Sequence, residues 1–288
     1  MGKCMAVDFL KPPLLLLTIF FCLFISCQKK EPARGYENMN VLSVQDGNGT
    51  DDFSLPDIWN TVFEKSKLPD SYRDKIQGHL LQGPEFVMEL FYLLETDPFF
   101  YKLVDKQNAL DRTYVPDDLV ELQSGSYRVT RQGLMLRKIT ADSLESMAAA
   151  ALRDGVTLTA ASAFRTYDYQ AEVYNRNVRE MGQQAADRES ARPGHSQHQL
   201  GLTLDFFPID DSFAQTPAYR WLAANASRFG WSMSYPHGFE EITGYVWESW
   251  HYRYVGAETA RFIDRYFDGI QQYALVFINA WITASVQN

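Results

Sequence analysis

The chain has 288 residues, 46% of them hydrophobic and 22% charged, which supplies enough apolar surface for a real core and excludes a wholly disordered protein. Its formal net charge is −9, with no basic run. That balance excludes nucleic acid as an expected partner, because neutralisation of phosphates supplies most of that affinity.

The N-terminus, MGKCMAVDFLKPPLLLLTIFFCLFISCQKK, places Lys3 and Lys11 ahead of an apolar run from Leu14 to Ile25, followed by Ser26 and Cys27. This is the layout of a secretory signal over residues 1–26, and the run is too short for a comfortable transmembrane helix. A small residue before a cysteine at that point resembles the lipobox of bacterial lipoproteins, although Phe24 stands where leucine is usual. The resemblance implies export to the bacterial cell envelope, with Cys27 as the lipid attachment site on a membrane. Cys4 and Cys22 fall inside the signal, so the mature chain keeps one cysteine and no internal disulfide. Residues 27–52 are polar, lack apolar periodicity and read as a flexible tether.

Residues 53–102 turn helical; PEFVMELFYLLETD repeats apolar positions at spacings of three and four until Pro98. LVDKQNALDRTYVPDDLVEL, with Pro116 inside it, reads as a long surface arm. From Thr140 the pattern is α+β. TADSLESMAAAALRDG predicts a helix with Thr140 as N-cap and Gly155 as C-cap. VTLTAASAF follows as a strand, YDYQAEVYNRNVREMG as a helix closing at Gly182, and LGLTLDFF as an alternating strand. PAYRWLAANASRFG predicts a helix with Pro217 in its first turn, and WSMSY and YVWESWHYRYV predict strands. ETARFIDRYFDGIQQYALVFINAWI makes one or two terminal helices, whose apolar run YALVFINAWI is expected to dock on its own domain and not on a membrane.

Two of the five histidines lie in HSQHQLGLTLDF. A catalytic zinc site takes three protein ligands and leaves one position open for water. His198 and Asp205, seven residues apart across Gly201, supply two ligands, and His251 in WESWHYRYVG supplies the third. Glu248, three residues before His251, is free to serve as the base that takes a proton from an activated water. Taken singly, a histidine near a glycine is more often a satisfied polar residue; it is the conjunction that points to a metal. His195 is a less suitable ligand, ten residues from Asp205 in a loop entry, and His79 and His237, in polar surroundings, are read as non-ligands. Arg165 ends a predicted strand before a turn, where a fork-shaped cation suits a tetrahedral oxyanion or a peptide C-terminal carboxylate; the plain alternative is a surface pair with Asp168.

SAFRTYDYQ, ARPGHSQHQLGLTLD and ESWHYRYVG together resemble, in order, the three signature blocks of the VanY-like D-alanyl-D-alanine carboxypeptidases. The resemblance runs from Leu103 to Gly256. It implies a D,D-peptidase/hedgehog-like fold: a small antiparallel sheet with flanking helices carrying a zinc site over 103–257, with 53–102 and 258–288 as accessory helical regions. It implies Zn2+ held by His198, Asp205 and His251, Glu248 as catalytic base and Arg165 as substrate-polarising group. Ser196 and Gln170 become candidates for substrate contact on the same ground. The implied substrate is a peptidoglycan stem peptide losing its terminal D-alanine; an L,D-carboxypeptidase and a non-catalytic cell-wall-binding lipoprotein are the alternatives. Gln197 and Ser249 depart from the family pattern, which has glutamate and proline there, but neither is a ligand position.

Overall fold

The computed structural model describes residues 55–286; the signal over 1–26, the tether over 27–52 and the lipidation site at Cys27 lie outside the described residues. Contacts among the described residues form two units, one of residues 55–62 with 281–286 and one of residues 63–280. In the smaller unit the rings of Trp59 and Trp281 meet with centroids 4.6 Å apart.

The helices of the N-terminal region are α1 (Leu55–Ser66), α2 (Asp70–Gln82) and α3 (Glu85–Leu94), and those of the C-terminal region are α9 (Ala257–Phe267) and α10 (Gln271–Val286). Apolar residues of α3, α9 and α10 meet around Phe86, whose ring lies 5.2 Å from Phe262 and 5.7 Å from Phe277 between centroids. Asp268 and Gly269, both at positive φ, separate α9 from α10. Tyr273, Leu275, Phe277 and Ile278 of α10 are buried, in line with the docked reading of this run, and no helix among the described residues is long and apolar enough to cross a membrane.

The centre of the larger unit is a five-stranded sheet of β2 (Arg128–Val129), β4 (Thr159–Ser162), β5 (Thr203–Phe206), β7 (His251–Tyr254) and β6 (Trp231–Met233), in that spatial order. Every pairing is antiparallel except the edge pair β2–β4, which is parallel. A separate antiparallel ladder joins β1 (Leu119–Glu121) to β3 (Met135–Arg137), so the arm expected to be loop ends in a strand. Strands this short have no alternation to detect and owe their existence to the partner they pair with.

The register of the sheet sorts its faces. Thr203, Asp205, His251, Arg253 and Ser232 fall on one side of β5, β7 and β6, whereas Leu204, Phe206, Tyr252, Tyr254 and Trp231 fall on the other. The apolar side meets α4 (Lys138–Arg153), where Trp231 Nε1 donates to Ser143 Oγ at 3.0 Å. The polar side is buried as well, since all four residues of β5 and of β7 are buried.

Two local expectations change. Thr140 does not cap α4; the helix begins at Lys138 directly after β3, and Thr140 sits buried in its first turn. Arg137, at the junction, is anchored by Asp97 at 2.7 Å and Asp118 at 2.9 Å, which fixes the chain before Thr140 is reached. The other end closes as expected: Gly155 takes φ 79°, with Gly155 N–H donating to Leu152 O and Val156 N–H to Ala151 O. The predicted strand YVWESWHYRYV is a strand only from His251 to Tyr254. Residues three apart on a continuous strand face opposite sides of a sheet, so Glu248 and His251 could not share a site unless the segment before His251 left the ladder. It does so in a turn closed by His251 N–H to Glu248 O at 3.3 Å, while Glu248 N–H donates to Tyr235 O at 3.1 Å.

Candidate active site

The sheet register builds the cluster directly. Ser162 on β4 pairs with Asp205 on β5, and Asp205 pairs with His251 on β7, so three neighbouring strands deliver three polar side chains to one point. His198 arrives from a 3-10 turn, Gln197–Leu200, immediately before β5. Ser196 caps that turn, its Oγ accepting from His198 N–H at 3.3 Å, and Gly201 ends it in the left-handed region at φ 68°. One turn, a reversal at Gly201 and the alternation of β5 together account for the seven-residue spacing between His198 and Asp205.

His198, Asp205 and His251 are each buried, and one ligand atom from each lies within 4.8 Å of the others. The protonation of the His198 ring follows from its far side. His198 Nδ1 is 2.7 Å from the carbonyl of Ala163, which can only accept, so the hydrogen is on Nδ1 and the lone pair of Nε2 faces Asp205 Oδ2 at 3.2 Å. His251 turns Nδ1 toward Asp205 Oδ1 and Glu248 Oε2, both at 3.1 Å. Asp205 Oδ1 is buried without a hydrogen bond. A buried carboxylate whose two oxygens each face an imidazole nitrogen is the donor set of a catalytic zinc site, and these residues fit such an ion.

The charges are strongly perturbed. Burial, and then the Arg165 guanidinium, push His198 down to about 4, leaving a neutral ring. Burial would lift Asp205, but the two imidazoles outweigh it and hold the carboxyl well below its usual range. Burial also pulls on His251, yet the carboxylates of Asp205 and Glu248, each 3.1 Å from its Nδ1, raise it to about 9. Glu248, with 13% of its side chain exposed, is raised by burial in spite of its hydrogen bond with His251. A carboxyl displaced toward neutral pH beside a metal-type cluster is suited to proton transfer.

Arg165 lies at this cluster and not in a surface pair. Its Nη2 donates to Asp205 Oδ2 at 2.9 Å and lies 3.0 Å from His198 Nε2, while Asp168 pairs with Arg112 at 2.8 Å. Gln170, from α5 (Tyr167–Met181), holds the guanidinium from behind: its Oε1 accepts from Arg165 Nη1 at 3.1 Å and its Nε2 donates to Ala191 O at 2.7 Å. Both polar ends of Gln170 are thus engaged within the protein. Ser196, Arg165, Glu248 and the three clustered residues line one cleft of about 180 Å³, into which Tyr235 and Trp250 also face. The other histidines are elsewhere: His195 Nδ1 lies 2.7 Å from Asp105 O, His79 packs edge-on to Tyr266, and His237 packs on Trp247.

Arg253 was not singled out by its sequence. It is fully buried on the polar side of β7, and its Nη2 donates to the carbonyls of Phe99, Phe100 and Lys102 at 3.0, 3.3 and 2.8 Å, tying that segment to the strand beside the site. Its one visible signal is an arginine at the buried-face spacing of His251, two residues on.

Two histidines, an aspartate, a glutamate and an arginine converge on one cleft from β5, β7 and the turns beside them, which is the arrangement of a metallopeptidase. Residues 133–257 match the model of the VanY family, described as D-alanyl-D-alanine carboxypeptidase. A Bacillus subtilis protein named as a candidate carboxypeptidase, YodJ, is 35% identical over 216 residues, covering 71% of this chain and 74% of its own. Among solved structures, the LdcB LD-carboxypeptidase is similar with a TM-score of 0.52 at 34% identity, covering 58% of this chain and 85% of that one. A mutant of the vancomycin-resistance D,D-pentapeptidase VanY from a VanB-type cassette, in complex with Zn(II), gives a TM-score of 0.50 at 35% identity, covering 60% of this chain and 96% of that one. The chain belongs to the VanY-like D-alanyl-D-alanine carboxypeptidase family.

Proposed function

We propose that this protein is a zinc carboxypeptidase that hydrolyses the terminal D-alanine from peptidoglycan stem peptides, with the D,D bond as its substrate. The observation that carries the reading is the convergence of His198, Asp205 and His251, with one ligand atom of each within 4.8 Å of the others, beside Glu248 and Arg165. His198, Asp205 and His251 would hold the zinc. Bound there, the ion supplies Lewis acidity, making a water ionisable at a pH of about 7. Glu248 accepts the proton from the attacking water and returns it to the leaving amine. Its turn, closed between Glu248 O and His251 N–H, keeps the carboxylate beside the cluster. Arg165, held by Ser162 and Gln170, offers its remaining hydrogen-bonding capacity to the negative oxygen that develops at the scissile carbonyl or to the free C-terminal carboxylate. Ser196 and Gln170 belong to this wall of the cleft. A wall of binding groups alone would have no use for Glu248, which weighs against a purely binding role.

An L,D-carboxypeptidase acting on tetrapeptide stems is the second reading, favoured by the likeness to LdcB. The two separate by mass spectrometry of defined tri-, tetra- and pentapeptide stems incubated with the zinc-loaded protein. Loss of one D-alanine from the pentapeptide supports the D,D reading, and loss from the tetrapeptide alone supports the L,D reading. Failure to trim any stem with zinc bound overturns both.

The N-terminal sequence adds a proposal about place: an exported protein of the bacterial cell envelope, lipid-anchored through Cys27. It is supported by the apolar run that ends at Ser26 and Cys27. A tagged fatty acid should label the wild type and leave Cys27→Ala dark; equal labelling of the two rules out that anchor.

A further inference from the structure

His251 can offer Nδ1 to a metal only while its other nitrogen, Nε2, carries the hydrogen, and the group that dictates this is traced outward through buried side chains. His251 Nε2 lies 3.3 Å from Gln197 Oε1. A glutamine amide is ambiguous, because rotating it by half a turn would present an N–H instead and force the hydrogen onto Nδ1. What fixes Gln197 is Gln271, the first residue of α10. Gln271 Nε2 donates at 3.2 Å to the backbone carbonyl of Ser232, which can only accept, so the orientation of Gln271 is determined. Its Oε1 must then face Gln197, where it takes Gln197 Nε2–H at 3.5 Å. Ser234 Oγ lies between the two amides, 2.7 Å from Gln197 Oε1 as donor and 3.3 Å from Gln271 Oε1. Gln197, Ser234 and Gln271 are at most 3% exposed, so no solvent competes for these bonds.

We propose that Gln271 is a positioning residue for the metal site, acting through Gln197 to hold His251 in the tautomer that leaves Nδ1 free. The proposal rests on the zinc reading above and extends it to a helix outside residues 133–257 matched by the family. It follows that the C-terminal helix takes part in metal affinity and is not an accessory that only stabilises the fold.

The test is the zinc dissociation constant, measured by competition with a chromophoric chelator, for the full chain and five variants. Gln271→Leu should weaken zinc by about tenfold, the lower end of what loss of an outer hydrogen-bond partner costs a metal site. Gln272→Leu removes a neighbouring bond of the same helix, Gln272 Nε2 to Asp105 Oδ2 at 2.8 Å, and should leave zinc affinity at the wild-type level even if the melting temperature falls. In Gln197→Glu both side-chain oxygens accept, so the orientation no longer depends on Gln271, and adding Gln271→Leu to that background should cost no zinc affinity. Ser234→Ala, a small change that removes the bridging hydroxyl, should weaken zinc in the same direction and serves if Gln271→Leu fails to fold. Wild-type affinity in Gln271→Leu or, failing that variant, in Ser234→Ala overturns the role of Gln271. A loss that Gln197→Glu does not suppress overturns it too. A wild-type chain that binds no zinc removes the underlying reading instead.

Discussion

Replacing Glu248 by glutamine separates chemistry from metal binding and stability in one variant. The backbone of Glu248 is held at both ends, by its N–H to Tyr235 O and by His251 N–H to its own carbonyl, so an isosteric amide takes the same place. Removing the base should lower turnover by roughly a hundredfold or more, or about 2.7 kcal/mol in the barrier, the scale of general acid–base catalysis. Zinc should be retained, since His198, Asp205 and His251 make up the cluster without Glu248. Stability of the zinc-free protein moves the other way. Burial raises the Glu248 carboxyl above its ordinary 4.5 even with its hydrogen bond to His251 included, so folding favours the protonated form. Its contribution to stability is therefore full below the unfolded value and is lost as pH rises through the folded one. Glu248→Gln should melt with the wild type at pH 4 and at or above it at pH 7. Turnover on a peptide stem, zinc by elemental analysis and melting of chelator-treated protein at the two pH values make up the assay. Turnover within tenfold of wild type would refute the base, loss of zinc would make Glu248 a ligand, and a lower melting temperature at pH 7 would refute the account of its burial.

Three further outcomes follow from the same geometry. His251→Ala should lose zinc and turnover together, with reduced stability because metal binding is coupled to folding; elemental analysis and melting curves read both. Arg165→Ala should cost about 2.7–4 kcal/mol in the barrier, a hundredfold to a thousandfold in rate, while zinc stays bound, so a variant that turns over normally contradicts its role. Gly201→Ala places a Cβ 3.0 Å from Arg137 Cγ, 3.1 Å from Leu119 Cδ2 and 3.2 Å from Pro116 Cγ in a left-handed backbone. The conformation alone costs about 1–2 kcal/mol, and a calorimetric melting temperature unchanged by the substitution would refute that strain.

Local signals made much of this fold readable. Thr166 and Gly182 bracket α5, with Thr166 Oγ1 accepting from Tyr169 N–H, and Pro217 opens α7 (Pro217–Asn225) behind the cap of Thr216. The cluster of His198, Asp205 and His251 was legible because a turn, a glycine and a strand are all local matters, and only the approach of His251 needed the sheet. What stayed hidden depended on partners distant in sequence. β1 and β3 exist because Leu119–Glu121 and Met135–Arg137 pair, and Glu248 left its expected strand because Tyr235 took its N–H. Gln271 had no signal at all, since an amide among apolar residues reads as the polar side of a terminal helix.

The alternation in LTLDF and HYRY runs against the usual rule for a strand. Polar residues at every second position normally mean a strand with one face in water, and by that rule Thr203, Asp205, His251 and Arg253 would be solvated. All four are buried. Burying a carboxylate and an arginine on a sheet face is expensive unless each finds partners, which here are two imidazoles for Asp205 and three backbone carbonyls for Arg253. Composition distinguishes such a face from an ordinary wet one. Solvated strand faces are free to use Lys, Glu, Ser and Thr interchangeably, whereas this one adds His, Asp and Arg to Thr203 and Ser232, each of the three with the geometry to bind a cation, an anion or a main-chain oxygen. A strand face on which such residues recur points to a covered site, and in this chain it lies on the strand pair on which the metal cluster is built.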